Sequence, residues 1–177
     1  MSLLDRACRT ALAAGCQTVL RVLGGHATEI LARSCPAGVE TLVHPQWEEG
    51  MGSSLAAGMT HLLGRAPDLD AVFILLPDQP LVTVDLLDSM AGLLRDPISI
   101  ILCDHGQATG PPALFHRRHF PALASLQGDQ GAKAIAAKHP SALVTVAFPE
   151  GALDIDTAEA WEHFNRSATT NPPPGFR

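Results

Sequence analysis

The 177-residue chain contains no tyrosine, and aromatic residues make up only 5% of it. So few rings argue against a platform on which single-stranded bases could stack. Its four cysteines form no close pair, which argues against a zinc site or a disulfide framework. No run of about 18 apolar residues occurs, and the N-terminus lacks a signal-peptide layout. We therefore expect a cytoplasmic protein without a membrane partner.

Basic residues are also scarce, because 12 Lys and Arg stand against 18 Asp and Glu, giving a formal net charge of −6. A generic nucleic-acid surface needs a basic patch, so this class of partner is disfavoured. An anionic ligand would have to be held by local features such as a helix N-terminus, a metal ion or an individual Lys or Arg. Hydrophobic content of 46% and charged content of 17% indicate a folded globular protein.

Apolar segments alternate with stretches of helical periodicity along the chain. This alternation predicts an α/β domain with a mostly parallel sheet over residues 1–166, followed by a disordered tail at 167–177. Segment 71–76 is continuously apolar, as expected of a parallel strand covered on both faces. The predicted strands are 18–23, 39–43, 71–76, 98–103, 111–115 and 143–148. The predicted helices are 3–14, 27–34, about 51–63, about 84–94, 132–138 and 158–164, and Thr83 is the expected N-cap of the fourth helix.

Residues 49–58 read Glu-Gly-Met-Gly-Ser-Ser-Leu-Ala-Ala-Gly, a glycine–serine turn that opens an apolar helix. Backbone N–H groups and hydroxyls at a helix start suit an anion or a polar ring. Gly52, Ser53 and Ser54 are therefore candidate ligand contacts. A glycine turn with a serine N-cap fits the same spacing equally well.

Two acidic turns follow apolar segments. Asp78 lies in Pro-Asp-Gln-Pro, and Asp154 and Asp156 lie in Asp-Ile-Asp-Thr. Ligands of parallel sheets bind at the carboxyl ends of strands, where carboxylates suit Mg²⁺. The alternative is that Asp78 caps the next helix and that Asp156 or Thr157 caps the last one. We expect a Mg²⁺ site shared by Asp78 and Asp156, in an enzyme that acts on phosphates.

Three further motifs carry weaker signals. Lys133 follows a second glycine turn at 128–131 and could meet an anion, although a solvated surface lysine is commoner. The His-Arg-Arg-His run at 116–119 could be a metal or phosphate cluster, but a solvated polar patch fits better without a third ligand. Cys103 ends an apolar segment, so we expect an inert core thiol.

Four motifs in order resemble those of the MobA/MocA-like nucleotidyltransferases, which have a Rossmann-like, three-layer nucleotide-diphospho-sugar transferase fold. The motifs are EGMGSSLAAGM, LLPDQPLV, GPPALFHRRHFPALASLQGDQGAK and DIDTAEA. The branch resembled most is molybdenum cofactor cytidylyltransferase. That enzyme joins a nucleotide from CTP to the molybdopterin phosphate and releases pyrophosphate.

The resemblance implies a role for each motif. Asp78 matches the metal-binding Asp of the family's Asp-Gln-Pro turn, which also includes Gln79, and Asp154 and Asp156 complete the magnesium site. The nucleotide and pterin substrates would contact Gly52, Ser53, Ser54, Gln79, Gly128, Asp129, Gly131 and Lys133.

The chain departs from the family at its start. Family members begin with a central strand and a glycine-rich loop that cradles the triphosphate, whereas this chain begins at the helix that follows. Leu12-Ala13-Ala14-Gly15 copies part of that loop but lies at a helix end. We expect a gap in the sheet with unpaired strand edges, and little or no nucleotidyl transfer by this chain alone. The alternatives are a non-catalytic remnant that binds molybdopterin or a molybdoenzyme, and a family member that uses another substrate such as GTP or a sugar phosphate.

Overall fold

The computed structural model describes residues 1–33, 35–153, 155, 157, 159, 161, 162, 164 and 166. Helices and strands alternate as far as residue 104, as the sequence predicts. The helices are α1 (Leu3–Ala13), α2 (Ala27–Leu31), α3 (Met51–Arg65), α4 (Val84–Leu93), α5 (Phe120–Ala124) and α6 (Lys133–Ala136). The strands are β1 (Val19–Leu23), β2 (Val39–Val43), β3 (Ala71–Ile74), β4 (Ile100–Asp104), β5 (Thr109–His116) and β6 (Leu143–Ala147).

Local side-chain chemistry sets several helix ends. Ser2 and Asp5 form a reciprocal capping box at the start of α1. Gly15, with φ of 77°, adopts the left-handed conformation just after that helix ends. Thr83 caps α4 by accepting a hydrogen bond from the Leu86 N–H at 3.2 Å, which confirms the predicted N-cap.

The strands form two separate sheets. One sheet pairs β1 with β2 in parallel. The other has the order β3-β5-β4-β6, in which β4 and β6 are parallel and β5 runs antiparallel to both of its neighbours. The predicted α/β class is confirmed. In the four-stranded sheet β3, β4 and β6 run in the same direction, and only β5 runs in the opposite direction.

The core lies on both faces of the four-stranded sheet. Ile100 and Phe115 are fully buried on the face covered by α3, α5 and α6. Ile101 and Cys103 are fully buried on the opposite face, where Leu87 and Met90 of α4 pack against them. The alternation of these residues between faces follows directly from the two-residue period of a strand.

A groove of about 610 Å³ separates the two sheets. It runs between β1 and β3, whose facing edges pair with no strand among the described residues. The gap expected from the sequence is therefore present. The structure also corrects one prediction. Segment 71–76 was expected to form a buried parallel strand, whereas β3 ends at Ile74 and pairs antiparallel with β5, and all four of its residues are only partly buried because one edge opens onto the groove.

Other boundaries differ from the sequence prediction. Helix α2 ends at Leu31, and α6 comprises only Lys133–Ala136, so both are shorter than predicted. The predicted helix at 158–164 and the tail at 167–177 lie partly or wholly outside the described residues. None of the described helices is long and apolar enough to span a membrane.

Candidate active site

The turn after β3 contacts the second acidic segment directly. The backbone carbonyl of Asp78 accepts a hydrogen bond from the Ile155 N–H at 3.1 Å. Gln79 Nε2 donates to the Gly151 carbonyl at 3.2 Å. Asp154 and Asp156 lie outside the described residues, but Ile155 stands between them in the sequence. The main chains of the two predicted acidic motifs therefore meet.

Two side-chain oxygens in this turn are shielded from solvent. Gln79 is 6% exposed, and its Oε1 has no hydrogen-bond partner among the described residues. Asp78 Oδ1 is equally inaccessible to water. A buried carbonyl oxygen without a partner costs free energy, so its retention fits a site that receives a ligand. Within the described part of the chain, no three His, Cys, Asp or Glu side chains converge on a metal-sized site.

The two glycine turns also meet each other. The Gly52 N–H donates to the Gly128 carbonyl at 2.7 Å. A Cβ on Gly52 would lie 2.7 Å from the Gln130 carbonyl oxygen and 2.8 Å from that of Gln127. Gly50, with φ of 112°, adopts a conformation that side chains disfavour and has equally little room. Because they lack side chains, these glycines let the start of α3 approach the 127–130 loop closely. Gly50 and Gly52 therefore have a packing role.

The two serines at the start of α3 have different environments. Ser53 is buried, and its Oγ donates to the Gly50 carbonyl at 2.8 Å and lies 3.1 Å from His44 Nε2. That hydroxyl is thus engaged within the protein. Ser54 is half-buried and lines the groove between the sheets. Ser54 is the better placed of the two to contact a ligand.

The predicted residues of the second glycine turn lie at the surface. Gly128 is left-handed with φ of 57°. Asp129 and Lys133 are exposed, Gly131 is half-buried, and Lys133 is the first residue of α6. The exposed Lys133 agrees with the commoner surface role.

The groove connects the two predicted regions. Met51 and Ser54 line it from α3, and Leu75, Leu76 and Pro77 line it from the segment that leads to Asp78. The glycine–serine helix start and the acidic turn therefore open onto one concave surface. Ligand sites in α/β proteins occupy such positions beyond the carboxyl ends of strands.

The histidine–arginine run divides into surface and core residues. Arg117 and Arg118 are exposed and approach Asp70 at 3.6 Å and Asp96 at 2.7 Å. The expected solvated patch is wrong for His119, which is 5% exposed with Nε2 at 2.9 Å from Ser99 Oγ. Burial lowers the pKa of His119, and the adjacent His139 lowers it further.

The expected core position of Cys103 is confirmed. Its side chain is fully buried against Met90. Burial in these apolar surroundings raises the pKa of the Cys103 thiol to about 12. A pKa this high favours the protonated thiol at neutral pH, as expected of a core cysteine.

Sequence reasoning missed two histidines beside the predicted site, His44 and His105. His44 directly follows β2 and contacts Ser53. His105 directly follows β4, and its Nε2 lies 2.9 Å from the Pro111 carbonyl oxygen. A Cβ on Gly151 would meet the His105 ring at 2.6 Å, so the ring lies against the segment that binds Gln79. The position of both histidines at strand ends was the available signal.

An α/β fold with the Asp78 turn beyond the end of β3 is typical of α/β proteins that bind ligands at the carboxyl ends of strands. Residues 1–143 match the family described as the MobA-like NTP transferase domain. The chain belongs to this family of nucleotidyltransferases, as its motifs predict.

Individual relatives share about a third of their residues with this chain over the matched part. The chain is 32% identical over 123 residues to the purine catabolism protein PucB of Bacillus subtilis, covering 68% of this chain and 58% of PucB. It is 29% identical over 169 residues to nicotine blue oxidoreductase of Paenarthrobacter nicotinovorans, covering 89% of this chain and 80% of that protein. The match therefore spans less than two thirds of PucB.

The fold is shared with solved structures. Rv0371c of Mycobacterium tuberculosis, solved as a complex with manganese, superposes with a TM-score of 0.74 at 24% identity. The superposition covers 93% of this chain and 86% of Rv0371c. At this identity the likeness establishes the common fold.

Proposed function

We propose that this chain is a magnesium-dependent nucleotidyltransferase of the molybdenum cofactor cytidylyltransferase type. Its substrates would be CTP and molybdopterin, and its products the cytosine dinucleotide form of the cofactor and pyrophosphate. The observation that carries the proposal is the pairing of the Asp78 turn with Ile155, at the centre of the second acidic motif. Family membership supports the reaction class.

The chemistry of the donors fits a divalent cation. Asp78 Oδ1 and Gln79 Oε1 are solvent-shielded oxygens, and Asp154 and Asp156 flank the residue bonded to Asp78. Oxygen donors of this kind are those that Mg²⁺ prefers. The manganese bound by Rv0371c supports a divalent ion in this fold. Held by Asp78, Asp154 and Asp156, the ion would neutralise charge on the triphosphate.

The remaining residues would act by positioning. Gly52, tied to Gly128, holds the start of α3 against the second glycine turn. Ser54 on α3 and Gln79 in the acidic turn would orient the nucleotide. Gly128, Asp129, Gly131 and Lys133 would face the pterin, and the Lys133 ammonium group would meet its phosphate. Positioning and charge neutralisation can supply most of the acceleration of such a transfer, so no protein nucleophile is required.

A second function is favoured by the groove between β1 and β3. By its resemblance to the family, the triphosphate loop would follow a strand between these two, and none of the described residues forms that strand. A chain in this state would bind molybdopterin or a molybdoenzyme without turning over CTP. We therefore expect little pyrophosphate release by these 177 residues alone.

Nucleotide binding separates the candidates. CTP and GTP affinities are measured by calorimetry with and without Mg²⁺, for the wild type and for Asp78→Asn. Metal-dependent CTP binding that Asp78→Asn removes supports the transferase. Gly64→Ala is the matched control, since a Cβ there meets nothing within 4 Å. Molybdopterin binding without metal-dependent CTP binding supports the binding remnant instead, and a preference for GTP changes the substrate.

A further inference from the structure

His105 stands where three segments of the chain meet. It directly follows β4, and its backbone N–H donates to the Ala108 carbonyl at 2.9 Å in the turn before β5. Its side chain reaches across this turn, since Nε2 lies 2.9 Å from the carbonyl oxygen of Pro111 in β5. The imidazole is therefore fixed by both strands of the hairpin that β4 and β5 form.

The bond to Pro111 determines which nitrogen of the His105 ring carries the hydrogen. A carbonyl oxygen only accepts hydrogen bonds, so the neutral imidazole must be protonated on Nε2. Glutamine has an N–H donor at a similar reach from the backbone, whereas phenylalanine has a ring of similar size without a donor. These two residue types therefore separate the hydrogen bond from the volume of the ring.

The third segment is the short 3-10 turn Pro149–Ala152, which follows β6 and packs on the ring. A Cβ on Gly151 would lie 2.6 Å from His105 Nε2 and 2.5 Å from Phe148 Cδ1. Phe148 itself meets the imidazole edge-on, with ring centroids 5.9 Å apart, and its N–H donates to the Asp104 carbonyl at 2.8 Å. The main chain at Gly151 therefore lies directly against both rings, where a side chain would not fit.

Gly151 connects this packing to the candidate site. Its carbonyl oxygen accepts a hydrogen bond from Gln79 Nε2 at 3.2 Å. Because that carbonyl can only accept, the bond fixes the amide nitrogen of Gln79 and leaves Oε1 as the atom without a partner among the described residues. Further along, the Ile155 N–H donates to the Asp78 carbonyl at 3.1 Å. The segment after β6 is thus attached to the Asp78 turn at two points.

We propose that His105 is a positioning residue of the candidate site, acting through Gly151 on Gln79 and on the second acidic motif. Its ring holds the segment after β6 against the Asp78 turn, while His105 itself touches neither metal nor nucleotide. Binding groups must be held closely in place by the residues behind them, so loss of this support lowers affinity. The ligand that benefits would be CTP with Mg²⁺, and to that extent the inference rests on the proposed function.

The first test needs no ligand and follows hydrogen exchange of the Ile155 amide by NMR. In His105→Phe this rate should rise roughly tenfold, the effect of losing about one hydrogen bond from a local opening, while the amide of Leu102 in β4 keeps its rate. His105→Gln should return close to the wild-type rate. His139→Phe replaces an exposed imidazole just before β6, at its opposite end, and should change nothing. An unchanged Ile155 rate in His105→Phe would overturn the proposal, as would a neutral wild-type ring protonated on Nδ1.

The second test measures CTP binding as Mg²⁺ is added, for the wild type and the same three variants. His105→Phe should raise the Mg²⁺ concentration at half-maximal binding several-fold, and His105→Gln should restore it. A purely structural role would lower the free energy of unfolding in urea without moving this midpoint, and that result would overturn the proposal. If the wild type binds no CTP with Mg²⁺, the proposed function fails, and the exchange rate at Ile155 alone decides the role of His105.

Discussion

The two sheets differ in how completely their strands are enclosed. In the four-stranded sheet, Ile100 and Ile101 of β4 are fully buried because strands pair on both sides and helices cover both faces. In β1 and β3, helices also cover both faces, but one edge of each strand opens onto the groove. Apolar sequence alone therefore does not bury a strand; lateral partners are needed as well. We call the four-stranded sheet the closed region and the groove along β1 and β3 the open region. The candidate site lies where these two regions meet.

A matched pair of phenylalanines measures this difference in the free energy of unfolding. Phe115 of β5 is fully buried, and Phe73 of the neighbouring strand β3 is only partly buried. Phe115→Ala should cost about 3–5 kcal/mol in urea denaturation. Phe73→Ala should cost clearly less, because its ring has less apolar surface to expose. Equal losses would mean that the groove is closed in solution.

Glycine substitutions test the contact between the two glycine turns. Gly52→Ala should destabilise the fold by about 1–3 kcal/mol, because its Cβ would press on backbone carbonyl oxygens. In the same helix, Gly64→Ala meets nothing within 4 Å and should stabilise by about 0.5–1 kcal/mol. A neutral Gly52→Ala variant would show that α3 and the 127–130 loop do not touch.

The pH dependence of the free energy of unfolding tests the burial of His119, which lies in the closed region. Its pKa is lowered by burial, so the unfolded chain binds the proton more tightly than the folded chain. Its contribution is therefore fully present above the unfolded pKa of about 6.5 and is lost as pH falls towards the lower folded value. Urea denaturation between about pH 7.5 and pH 5 should show this loss of stability. In the variant His119→Gln the free energy of unfolding should depend less on pH over the same range.

The order in which the four cysteines react with a thiol reagent compares the two regions with the smallest expected effect. Cys35 is exposed and should react first with a thiol reagent in the native protein. Burial raises the pKa of Cys8 and of Cys16, which line the groove, so they should react more slowly. Cys103, with its pKa raised to about 12, should react last. Modification of Cys103 before Cys16 would contradict the assignment of the open and closed regions.

The sequence predicts what local periodicity and capping determine. Strand β2 has the predicted bounds, and Thr83 caps α4 as its position suggests. Contacts between distant segments were not predictable in the same way. The burial of His119 depends on Ser99, twenty residues earlier, and the closeness of Gly52 to Gly128 depends on how α3 packs. Motif order indicated that the acidic turns belong together, but the bond that joins them appears only in the fold.

The most direct test of the proposed function is CTP binding by calorimetry with Mg²⁺ present or removed. The wild type should bind CTP only with Mg²⁺, and Asp78→Asn should lose that binding while Gly64→Ala keeps it. Such a result would support the acidic turns as the metal site of a nucleotidyltransferase. CTP binding that is independent of Mg²⁺, or unaffected by Asp78→Asn, would contradict it.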